Sequence, residues 1–77
     1  MKTTTIKTAA DLGQAIKEIR LQQGLKQIDL ATACGTGERF IVDLEHGKPT
    51  CEFDKVLHVA NMLGIKLQIN LPGSANE

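Results

Sequence analysis

The chain has 77 residues, 42% of them hydrophobic, and its nine basic and nine acidic side chains cancel. That length supports one small core, and with only Phe40 and Phe53 as aromatics the core must be built from Leu, Ile, Val and Ala, which suits packed helices. Zero net charge argues against non-specific polyanion binding but leaves a local basic patch open.

Residues 1–7, MKTTTIK, are polar and β-branched and read as a tail or a short edge strand. Thr8 and Asp11 have the spacing of a capping box, a hydroxyl followed three residues later by a carboxylate. Leu12, Ile16, Ile19 and, more loosely, Gln23 recur at helical spacing, and Gly24 closes this first helix. Residues 27–34 form the expected second helix, with Ile28, Leu30 and Ala31 inward. After the break at Gly35-Thr36-Gly37, residues 38–46 read as a third helix anchored by Ile41 and Leu44. Gly47 stops it, and Pro49 cannot continue it.

Thr50 is the expected cap of a fourth helix over residues 51–63, with Phe53, Val56, Leu57, Ala60 and Leu63 as its stripe and Gly64 as its end. The period then changes to two. In IKLQINL, Ile65, Leu67, Ile69 and Leu71 alternate with polar residues, the pattern of a half-buried strand. Residues 72–77 read as a frayed tail.

The glycines at 35 and 37 invite a phosphate-loop reading, which the spacing rejects. A Walker-type loop needs GxxxxGK[ST] after a strand, and a dinucleotide fingerprint needs a third glycine between strand and helix. Here the pair follows a helix, and no Lys-Ser/Thr closes it. Counting from Gln27 gives a different answer. Ala31 falls fifth, where two helices cross closely and demand a small residue; Gly35 falls ninth, where the chain turns sharply; Ile41 and Leu44 fall fifteenth and eighteenth, where the next helix is anchored. These offsets describe a helix-turn-helix.

The segments IRLQQGLKQIDLA and CGTGERFIVDLEHGK resemble the Cro/repressor-type (XRE) helix-turn-helix family, over roughly residues 12–63. The continuation PTCEFDKVLHVANMLGIKLQI is similar to its HipB-like antitoxin branch, in which the fourth helix leads into a C-terminal strand. The resemblance implies an all-α, lambda-repressor-like domain of four to five helices with that strand, residues 8–64 forming the DNA-binding domain. A lone strand leaves its backbone groups unpaired, so residues 65–71, through Ile65, Leu67, Ile69 and Leu71, are expected to dimerise against the same strand of a second chain. The resemblance further implies DNA-facing positions at Gln27, Thr36, Gly37, Glu38, Arg39, Val42, Asp43 and Lys48, with Gln27 and Lys48 on the backbone and Glu38 and Arg39 at base edges. Arg20 and Glu45 match a pair that ties the first helix to the third. Gly37 departs from the family, which places Ser or Thr there as a cap, and Val42 stands where a small polar residue is common.

The other chemistries are poorly served. Cys34 and Cys51 are too far apart for a CxxC pair, His46 and His58 lie on different helices without metal-ligand spacing, and the only serine is Ser74. No catalytic residue, metal or cofactor is therefore expected. No apolar run resembles a signal peptide or membrane span, so the expected setting is reducing cytoplasm. The implied function is a homodimeric repressor on a palindromic double-stranded operator, serving as the antitoxin of a type II toxin–antitoxin pair and binding a HipA-like kinase toxin. A stand-alone regulator and an interaction module that has lost DNA binding are the alternatives.

Overall fold

The computed structural model describes residues 2–73. Among them four helices form: α1 (Ala9–Gln22), α2 (Gln27–Cys34), α3 (Glu38–Glu45) and α4 (Phe53–Met62). α3 packs on both α1 and α2, and α4 packs on α2. The core between them holds Ile16 from α1, Leu30 and Ala31 from α2, Ile41 and Leu44 from α3, and Val56, Val59 and Ala60 from α4. Ile16, Leu30, Ile41 and Val59 are its largest fully buried side chains, each stabilising the fold by roughly 1.5–3 kcal/mol relative to exposure.

Helix ends follow from local sequence. Thr8 Oγ1 accepts from the Asp11 N–H at 3.1 Å, and Asp11 Oδ2 accepts from the Thr8 N–H at 3.1 Å, completing the capping box. α2 begins with half of such a box, the Lys26 N–H donating to Asp29 Oδ2 at 2.9 Å. Every helix is closed by a glycine in the left-handed region, at Gly24, Gly35, Gly47 and Gly64. Each closure satisfies two carbonyls at the helix end, as where the Gly47 N–H donates to Leu44 O and the Lys48 N–H to Asp43 O, both at 3.0 Å.

Three expectations need correction. Ile28 is exposed, because Gln27, Leu30, Ala31 and Cys34 share the inward face of α2 and Ile28 lies about 100° around it. α4 begins two residues later than expected, after Glu52 and not after Thr50, so that Phe53 opens the helix and stays exposed. Residues 65–71 form no strand in the single chain. A strand needs a neighbour for its backbone groups, and none lies beside this segment among the described residues; Ile65 alone is tied down, its N–H donating to Ala60 O at 2.9 Å. Residues 2–7 likewise have no regular structure, and the expected tail lies outside the described residues beyond 73.

Candidate nucleic-acid interface

The α2–α3 turn is built from its backbone. Gly35 adopts φ 70°, which only glycine takes without strain, and the Thr36 N–H returns to Ala31 O at 3.0 Å. Gly37 is the N-cap of α3 in extended conformation, with no side-chain bond to the helix and open space where a Cβ would stand. Ile41 and Leu44 turn inward, so Glu38 and Arg39 in the first turn face outward and are exposed, while Val42 and Asp43 are half-buried.

Beside the Ile41 and Leu44 anchors, a buried ion pair fastens α3 to α1. Arg20 Nε donates to Glu45 Oε2 at 2.6 Å and Nη2 donates to Oε1 at 3.0 Å, a bidentate contact between α1 and α3. Arg20 Nη1 also donates to Leu25 O at 2.7 Å, and Gln27 Nε2 donates to Glu45 Oε1 at 3.1 Å. One charge pair thus ties α1, the α1–α2 link, the start of α2 and the end of α3. The family resemblance implied the pair; the roles of Leu25 and Gln27 in it were not anticipated.

The face of α3 carries a second, exposed cluster. Arg39 Nε lies 3.1 Å from Asp43 Oδ1, and Lys48 Nζ lies 3.5 Å from Asp43 Oδ2. Arg39, Asp43 and Lys48 line one open depression with His46, Gly47 and Pro49. Glu38 makes no ion pair among the described residues. Six of the expected interface residues, Thr36, Gly37, Glu38, Arg39, Val42 and Asp43, therefore lie on the turn and α3, and Lys48 follows just after it. Gln27 sits at the start of α2 with its amide already engaged.

One buried residue was not anticipated from the sequence. Gly13 is buried where α1 meets the end of α3, and a Cβ there would press on the Leu44 carbonyl oxygen. A single glycine inside a helical run was the available signal. Cys51 packs against the core beside Lys48 and Asp43, and burial pushes its thiol above the ordinary range, as it does for Cys34.

Residues 16–70 match the HTH_3 helix-turn-helix family model. The chain belongs to the helix-turn-helix family. It is 50% identical over 68 residues to the uncharacterised HTH-type transcriptional regulator y4mF of Sinorhizobium fredii (strain NBRC 101917 / NGR234), covering 88% of this chain and 90% of that one. Among solved structures, HipB in a HipB–O4 20mer complex superposes with a TM-score of 0.81 at 20% identity, covering 91% of this chain and 99% of that one. A HipA–HipB–O2–O3 complex gives 0.82 at the same identity and coverage. At that identity the likeness establishes the fold, and within it α2, the Gly35 turn and α3 are the motif that names the family.

Proposed function

We propose that this helix-turn-helix protein is a sequence-specific DNA-binding transcriptional repressor, a binding protein and not an enzyme. The observation that carries the reading is α3: its first turn presents Arg39 with 84% of the side chain exposed, on a helix fastened to α1 by the buried Arg20–Glu45 pair. A guanidinium so placed is suited to guanine O6 and N7 in a major groove. Support also comes from the 50%-identical relative, described as an HTH-type transcriptional regulator.

The finer reading is an antitoxin that represses its own operon as a homodimer and binds a HipA-like kinase toxin. The two HipB complexes that share the fold support it, one with an O4 20mer and one with HipA. Ile65, Leu67, Ile69 and Leu71 supply the dimer contact in this reading, forming a strand only against the same segment of a second copy.

Binding of the purified protein to the duplex upstream of its own reading frame, followed by fluorescence anisotropy across a salt series, tests the proposal. Expected is a specific complex whose affinity falls steeply with salt, with Arg39→Ala losing preference at one base pair per half-site and Lys48→Ala weakening all sequences about equally. One observation favours the rival interaction module: Asp43 already engages both Arg39 and Lys48. Absence of salt-dependent binding to any duplex would select that rival.

A further inference from the structure

We infer that Asp43 is a positioning residue for Arg39, holding its guanidinium so that the protein selects one guanine, and is not itself a reader of bases. This rests on the DNA-binding reading above and deepens it. Three observations carry it. Asp43 stands four residues after Arg39, on the same side of α3, and its side chain is only 20% exposed where that of Arg39 is 84% exposed. The carboxylate is thus the sheltered partner and the guanidinium the solvent-facing one. The nitrogen nearest Asp43 is Nε, 3.1 Å from Oδ1, so the charge contact falls at the base of the guanidinium fork. Lys48 Nζ lies 3.5 Å from the other carboxylate oxygen, so Asp43 is held from the far side by a residue outside the helix.

The arrangement answers an electrostatic objection. A carboxylate on a DNA-facing helix repels phosphate, but here Asp43 is flanked by two cations, and the cluster of three carries a net positive charge. A long arginine free in solvent loses rotamer freedom when it docks, and holding it beforehand removes part of that cost for the one geometry that fits. Discrimination rises in consequence, while affinity for random sequence is lowered by the acid.

The test is selection from a duplex library randomised at the half-site, with the intact protein as parent, Asp43→Asn, Asp43→Glu, Arg39→Ala and the Arg39→Ala/Asp43→Asn double variant. Asp43→Asn keeps shape and removes charge. Expected is a loss of guanine preference of roughly 2- to 12-fold at the base pair that Arg39→Ala also affects, together with tighter binding to random duplex at low salt. Asp43→Glu, which keeps a carboxylate, should fall between, and Asp43→Asn should have no further effect on preference once Arg39 is gone. An Asp43→Asn protein that binds all sequences more tightly with an unchanged preference profile would overturn the role of Asp43 while leaving DNA binding intact. A parent with no sequence preference would overturn the DNA reading and this role together.

Discussion

The Gln27 amide and Arg20 Nη2 donate to the same oxygen, Glu45 Oε1, at 3.1 and 3.0 Å. A residue expected on the DNA backbone is therefore also part of the internal scaffold, and the two roles are separable by experiment. Gln27→Ala removes a hydrogen bond to a charged acceptor, worth about 1.5–3 kcal/mol at a buried site and less here because Gln27 is half-buried. Both denaturation midpoint and DNA affinity should fall. Gln27→Glu should cost more stability than Gln27→Ala, since it sets a second carboxylate against Glu45; urea denaturation of the two variants gives the order, and the reverse order would remove Gln27 from the scaffold.

Glu45→Ala leaves the Arg20 guanidinium buried without its partner. Breaking one side of such a pair costs roughly 3–5 kcal/mol, a large share of the stability of so small a domain. Glu45→Gln, which keeps the shape and one acceptor oxygen, should be milder. Thermal melts followed by circular dichroism would show it, and a Glu45→Ala melt indistinguishable from the parent would contradict the buried geometry.

Gly13 sets the distance between α1 and the end of α3. A Cβ at that position would meet backbone, the Leu44 and Glu45 carbonyls, which cannot rotate away as a flexible side chain would. Gly13→Ala should therefore destabilise by about 1–3 kcal/mol despite alanine's better helix propensity, which on an exposed helix would add about 1 kcal/mol of stability. Its sign in a denaturation experiment decides whether the two helices approach this closely in solution.

The extent of α2 and its turn was legible because the chemistry is local: Ala31, Gly35 and the Ile41–Leu44 anchors each answer one steric demand at a fixed offset. The Arg20–Glu45 pair was legible only through resemblance, since nothing in a spacing of 25 residues announces a contact. Gly13 was missed because its reason lies on another helix. Thr50 misled because a hydroxyl before an apolar stripe looks like a cap, whereas Cys51 packs against the core and the helix starts only after Glu52. Arg39 and Asp43 were expected as two separate DNA-facing positions; their i, i+4 spacing permitted a pair, and only the folded chain shows that they form one.

Gly37 marks a place where the protein can be improved. It caps α3 in extended backbone at φ −74° and ψ 154°, and nothing lies within 4 Å of the point a Cβ would occupy. Gly37→Ser would supply an oxygen for an unpaired N–H in the first turn and reduce the freedom of the unfolded chain, together worth about 0.5–1 kcal/mol. A rise in melting temperature is expected, and a fall would show that the cap geometry differs.

The C-terminal segment divides into two parts that a pair of variants can tell apart. Ile65 packs against the core and closes α4, whereas Leu67, Ile69 and Leu71 are exposed, Ile69 to 83%. In the monomer, then, Ile65→Ala should lower stability by removing buried apolar surface, at a cost of about 1–3 kcal/mol for a half-buried isoleucine. Ile69→Ser should leave the monomer fold untouched, because that side chain has no core to leave. If the proposed dimer forms through this segment, Ile69→Ser also removes an apolar contact from the interface, and two copies of the change act at once across a two-fold axis. Sedimentation equilibrium should then show Ile69→Ser shifted toward monomer with an unchanged helical spectrum. Operator binding should weaken as well, because two recognition helices are no longer held about one DNA turn apart, roughly 34–36 Å. A dimer of undiminished strength in Ile69→Ser, and in a chain ending at Gly64, would move the interface to another surface of the domain.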